Sequence, residues 1–205
     1  MSFISRAMGV LTQPKTELPR AAAEPSTTGG LIGGYAAIMA ALPAIGTLLG
    51  AVLLAGAALS YIIGPTLVLI VLTYLLRDLG LTIGVGFALA ALAPSFGGQR
   101  NNVNGVKLAV YAATPIWILG FVGALLTGLA PQLYSLNYLF LLAGFGYAGY
   151  IIYLGARPML GVTDQQAPVV AGIATVAWLV LYFVVNTIII NVFTSSMMGA
   201  ARYGY

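Results

Sequence analysis

From Leu31 onward the chain is written in long apolar blocks, and the few polar positions between them set the number of elements. A helix that crosses a bilayer needs about 20 consecutive apolar residues. Residues 31–93 are apolar apart from Pro43, Pro65 and the adjacent Arg77 and Asp78, so they hold two long helices or three short ones. Further blocks follow at about 108–129, 138–155 and 169–192, separated by Pro94, the polar run 97–105, Pro131 and Pro168. Residues 1–29 are polar enough to stay outside the bilayer, and without the pattern of a signal peptide they are expected to be retained. Within them Phe3, Ile4, Ala7, Met8 and Leu11 recur at helical spacing before Pro14, which reads as a short interfacial helix or equally as a frayed end. Residues 20–30, RAAAEPSTTGG, read as a linker.

Charge decides between five and six spans. Five spans at about 31–54, 65–93, 108–129, 138–155 and 169–192, with a cytoplasmic N-terminus, put Arg6, Lys15, Arg20, Arg100, Lys107 and Arg157 inside. Arg202 alone is then outside, and Arg77 lies within the bilayer. Six spans leave Arg100, Lys107 and Arg157 outside and need a short crossing over 80–93. Cytoplasmic loops carry the excess of Lys and Arg, which favours five. The predicted fold is an all-α polytopic transmembrane helix bundle, with residues 1–29 as a cytoplasmic segment and 30–205 as the transmembrane domain.

Composition then narrows the chemistry. At 60% hydrophobic and 6% charged residues the chain is far from a water-soluble globule, where about a quarter of residues are charged. It has no cysteine and no histidine, which removes disulfides, thiolate nucleophiles, imidazole bases and the usual zinc ligands. Four acidic residues leave little for carboxylate chemistry, and a net charge of +4 is too small and dispersed for nucleic acid. No catalytic residue, cofactor or metal ligand is expected. The 26 glycines suit close helix packing in lipid, as does the small-xxx-small spacing of Gly144 with Ala148 and Ala109 with Ala113.

Arg77 and Asp78 are the candidate intramembrane site. They fall about 18 Å along the second span from Pro65, where an arginine costs about 2.5–3.5 kcal/mol on insertion scales. Neighbouring helical residues point about 100° apart, so partners are expected from other helices. Asn186, Thr187 and Asn191 on the last span, and tyrosine hydroxyls of the fourth, are the available groups. Three readings stay open: a polar pocket or relay for an ion, proton or solute; a clamp between the second and fifth spans; or a pair in a turn or at an interface. Residues 144–149, GFGYAG, match G-x-G-x-x-G, but inside a membrane helix those glycines serve packing. Tyr147, Tyr150 and Tyr153 lie broadly on one side of the fourth helix, and Tyr203 and Tyr205 beside Arg202 read as an interfacial ending. The loop 157–168, with Asp164, Gln165 and Gln166, is expected to be cytoplasmic.

Two stretches carry a resemblance. Val110-Tyr111-Ala112-Ala113-Thr114-Pro115 opens the third span after a Phe96-Gly97-Gly98 loop, and GYAGYIIYLGARPMLGV (146–162) closes the fourth. With MAALPAIGTLLGA (39–51) and Gln13-Pro14 they make the chain resemble the Yip1 family, in its bacterial inner-membrane branch, through Tyr111, Pro115, Tyr150 and Gly155 among others. The resemblance implies five spans and a cytosolic N-terminus. Eukaryotic members act in vesicle trafficking and bind Rab-type GTPases, but residues 1–29 lack the long cytosolic segment used for that, so Rab binding is not carried over. The expected function is non-enzymatic: binding or organising membrane proteins or lipids, with self-association open. The alternatives are a small-solute or ion transporter or channel using Arg77 and Asp78, and an accessory subunit of a larger membrane complex.

Overall fold

The computed structural model describes residues 2–203; for 54–67, 131 and 196–203 the description is of the backbone alone. The expected ending at Arg202, Tyr203 and Tyr205 therefore lies outside the described residues or side chains. The helices are α1 (Phe3–Thr12), α2 (Pro14–Ala23), α3 (Thr28–Leu31), α4 (Ala37–Leu92), α5 (Asn102–Leu129), α6 (Tyr134–Leu160) and α7 (Ala167–Tyr203), with no strand among the described residues. A π-helical turn, Ile32–Ala36, joins α3 to α4.

Five segments are long and apolar enough to cross a membrane: Thr28–Leu53, Val68–Phe96, Asn102–Leu129, Tyr134–Leu160 and Ala167–Ser195. The first two lie in one run of helical backbone yet pack on α5 in opposite directions. Gly46 meets Phe121 and Gly50 meets Gly128, so the first span runs parallel to α5. Gly86 meets Val106, while Tyr74 and Arg77 share a cavity wall with Gly120 and Ala124, so the second span runs antiparallel. The chain thus reverses between Leu53 and Val68, a stretch that contains the Gly64-Pro65 pair. With the reversals at 97–101, 130–133 and 161–166, the N-terminal segment and the far end of α7 come out on opposite faces.

The centre of the bundle is α5. Residues 105–117 are buried without a break, which means that every face of this helix is covered and it carries no polar stripe to betray its place. Of the five spans it is the most buried, and Ala167–Ser195 the least. Contact at its start is made by backbone: a Cβ added to Gly86 would lie 2.6 Å from the Cα of Val106. In lipid there is little hydrophobic drive between helices, and close backbone approach supplies dispersion in its place. Farther along, Gly144 of α6 rests on Ile116 and on the Pro115 carbonyl, and Ala109, Ala113 and Ala148 are all buried.

The N-terminal segment departs most from expectation. The expected short helix is present as α1, but with α2 it forms a hairpin packed on α5 and α6. The face of α1 turned inward is Arg6, Ala7 and Val10, whereas Ile4 and Met8 are exposed. Helix α2 runs into the predicted linker as far as Ala23, and α3 takes up its other end from Thr28. Helix periodicity in so short a window admits several faces, and the contacts that choose among them belong to α5.

Two glycines on the second span separate packing from propensity. Gly84 has open space where its Cβ would stand, whereas Gly86 has backbone. Gly84→Ala is expected to stabilise the helix by up to about 1 kcal/mol, and Gly86→Ala to destabilise the fold by about 1–3 kcal/mol. Opposite shifts of the unfolding midpoint in detergent would show this; shifts of the same sign would not fit the packing described.

Candidate polar site within the bundle

Arg77 stands nine residues inside Val68–Phe96, about 13.5 Å from that end at 1.5 Å per residue. Its side chain is 6% exposed and that of Asp78 8%. The sequence predicts separate partners for the two, and here it misleads. Arg77 donates from Nε to Asp78 Oδ1 at 2.9 Å, and its Nη2 lies 2.8 Å from the same oxygen. The long arginine stem reaches round the helix far enough to close the 100° gap.

Partners from the last span complete the arrangement. Nη1 donates to Asn186 Oδ1 at 2.7 Å, and Nη2 to the Tyr182 hydroxyl at 3.2 Å. The guanidinium carbon also lies 4.6 Å from the ring centre of Tyr74 and 4.4 Å from that of Tyr182. Stacking between two aromatic faces fixes the plane of the fork and adds cation–π attraction. Arg77, Asp78 and Asn186 thus come together, with Tyr74 and Tyr182 added. Asn191 and Thr187 fall on exposed faces of α7, outside the cluster. Tyrosines of α6 do not bond Arg77 among the described residues.

A cavity of about 390 Å³ adjoins the cluster and is lined by residues of all five spans. Its wall runs along α5 from Gly120 to Gly128 and along α7 from Tyr182 to Ile190, so it extends from Arg77 toward the α5–α6 connection. Tyr134, Asn137 and Tyr138 of α6 form another side. Asp78 is turned away from it, toward Trp117 and Trp178.

A second charged cluster ties the N-terminal hairpin to the bundle. Arg6 pairs with Glu17 at 2.6 Å and also with Glu24, and Arg20 reaches Glu17 at 3.5 Å. Lys107, 2% exposed, donates to the backbone carbonyls of Ala21 at 2.9 Å and Glu24 at 2.8 Å. It thereby caps the carbonyl end of α2, where a cation is favoured by both hydrogen bonding and the helix dipole. The Glu24 carboxyl is held below the usual range by its hydrogen bond from Arg6, which outweighs the upward effect of burial. Sequence reasoning counted Lys107 only among the cytoplasmic charges; the available signal was that Glu17 and Glu24, two of the chain's four acidic residues, stand among Arg6, Lys15 and Arg20 in the N-terminal segment.

The residues that carry the resemblance are mostly structural. Tyr111 is buried edge-on to Tyr35, whose hydroxyl is 2.9 Å from Thr114 Oγ1, and the Arg6 guanidinium lies 5.9 Å from the Tyr111 ring centre. Pro115 lies in the buried run of α5, and Gly155 lets Leu108 and Leu18 close on α6. Tyr150 is exposed beside Tyr147, which donates to the Leu11 carbonyl at 2.6 Å. The glycines of GFGYAG lie inside α6, with Gly149 beside Thr175 and Gly144 on Ile116.

Residues 8–195 match the Yip1 domain. The chain belongs to the Yip1 family. No curated protein and no solved structure matches the chain. The Yip1 domain begins inside α1, so the match takes in most of the hairpin, with Glu17, Arg20, Glu24 and Lys107 but not Arg6, and the five spans. A multi-pass membrane protein with its helices in contact with lipid follows from the Yip1 domain and the five apolar segments together.

Removing one member of a buried ion pair leaves the other charge unpaired and costs about 3–5 kcal/mol, while replacing both by apolar residues is often neutral. Arg77→Met is therefore expected to destabilise by that amount, and Arg77→Met with Asp78→Leu to return to within about 1 kcal/mol of the wild type. Denaturant unfolding in detergent reads both. An equal loss in the single and double variants would remove the ion pair from this role.

Proposed function

We propose that this protein is a non-enzymatic binder that holds lipids or other membrane proteins against its helix bundle. One observation carries the reading: each of the four acidic side chains is engaged by an arginine. Glu17 and Glu24 lie against Arg6, Asp78 against Arg77, and Asp164 against Arg157 at 2.9 Å. A general base needs a carboxylate or imidazole free to take a proton at the reacting atom. Glu17, Glu24 and Asp78 are tied into contacts between elements, Asp164 lies in an exposed loop pair, and the chain has no histidine or cysteine to stand in for them. Long lipid-facing helices and open glycine positions at Gly80 and Gly84 support docking of further helices.

The same reading places the N-terminus in the cytosol of a bacterium, with the protein in its cytoplasmic membrane. Arg6, Lys15, Arg20, Arg100, Lys107 and Arg157 fall at one end of the bundle, the bias expected of the cytoplasmic side. A second reading, a conduit for a small solute or ion, draws on the cavity beside Arg77. The first reading expects partners or lipids to travel with the protein through mild-detergent purification, and proteoliposomes to be no leakier to small ions and solutes than protein-free vesicles. Saturable flux, lost when Arg77 and Asp78 are neutralised in a folded variant, would replace it with the second.

A further inference from the structure

We infer that the cavity beside Arg77 is a binding site for the phosphate of an anionic lipid headgroup. The inference rests on the reading of this chain as a binder and names the ligand. Of the five N–H groups of a guanidinium, Arg77 donates Nε to Asp78, one on Nη2 to Tyr182 and one on Nη1 to Asn186, while Nη2 also lies 2.8 Å from Asp78 Oδ1 in the ion pair. One N–H on Nη1 remains. The Asn186 amide oxygen beside it is a neutral acceptor, which an oxyanion outcompetes because charge-assisted hydrogen bonds are about twice as strong.

The surroundings favour a negative group. Arg77 is the charged residue on the cavity wall, and no carboxylate lines it among the described residues. Asp78 neutralises the pair over distance but occupies the opposite edge of the fork, leaving the Nη1 edge toward the cavity. Stacking on Tyr74 and Tyr182 holds that edge in place before any ligand arrives, which lowers the ordering cost of binding. Asn137, in no hydrogen bond among the described residues, adds an amide to the wall.

Size and setting separate a headgroup from a free ion. A volume of about 390 Å³ is far above the roughly 10–15 Å³ that suffices for one water, and leaves room for more than a bare phosphate. The wall also includes Phe183 and Ile190, apolar residues of α7 with 36% and 47% of their surface exposed, along which an acyl chain can lie. On the α5 side Ala124 presents only a methyl to the cavity, while Gly120 and Gly128 let the first span close on α5 at Pro43 and Gly50.

The test is native mass spectrometry of delipidated full-length protein, titrated with dioctanoyl phosphatidylglycerol, dioctanoyl phosphatidylcholine or inorganic phosphate. The expected result is one phosphatidylglycerol per chain, bound at least tenfold tighter than phosphatidylcholine and not displaced by equimolar phosphate. Two variants should each weaken it at least tenfold: Arg77→Gln with Asp78→Asn, which removes the ion pair as a unit, and Ala124→Leu, which fills the cavity and leaves the pair intact. The second keeps the test decisive should the first not fold. Affinity within twofold of wild type in Ala124→Leu, or equal binding of the two lipids, would overturn the site. Displacement of the lipid by equimolar phosphate would overturn the headgroup as its source. Solute flux with lipid binding intact would sink the binder reading and leave the site standing, so the two failures are distinguishable.

Discussion

A carboxylate or guanidinium carried into hydrocarbon loses its water, and the chain itself must then supply every partner it needs. The structure answers this constraint at two depths. Near the N-terminal face, Arg6, Glu17, Glu24 and Lys107 bind one another and the end of α2, and so fasten the hairpin to the start of α5. Deeper, Arg77 and Asp78 close on each other and reach across to α7, the least buried of the five spans. In each place the charges join an element that has little other contact with the centre.

The rest of the bundle is held by close approach. Glycine and alanine line the contacts of α5 with its neighbours, so backbones meet where side chains elsewhere would interdigitate. Such contacts are individually small, and their sum depends on the absence of a single Cβ at positions such as Gly86. At Gly120 and Gly128 the same economy of side chains brings the first span against α5 at Pro43 and Gly50, beside the cavity next to the guanidinium. Packing and the polar site thus follow from one compositional choice.

How much of this could be read beforehand varies with the kind of signal. The five spans were legible, because length and hydropathy do not depend on tertiary contact, and so was the family, through Tyr111, Pro115, Tyr150 and Gly155. Most span ends moved outward by two to six residues, since amphipathic turns such as 102–107 and 156–160 extend the helices beyond their apolar blocks, while the ends facing each other at 54 and 65 moved inward to 53 and 68. The hairpin was not legible. Whether Arg6 faces inward depends on Glu17, Glu24 and Tyr111, which lie 11, 18 and 105 residues along the chain. At the polar site Asn186 could be named as an available group, but Tyr74 and Tyr182 could not, because stacking depends on the angular setting of the second and fifth spans. The self-pairing of Arg77 with Asp78 was misjudged by treating side chains as directions and neglecting the length of arginine.

The depth of Arg77 and the placing of both charged clusters depend on the number of crossings. Because the chain has no native cysteine, single cysteines at Ser2 and Ser195 give clean reporters at the two ends of the folded region. Labelling of oriented membrane vesicles with a thiol reagent that does not cross lipid should modify the two from opposite compartments. Reaction of both from the same side would mean an even number of spans, and Arg77 would no longer lie where this structure places it.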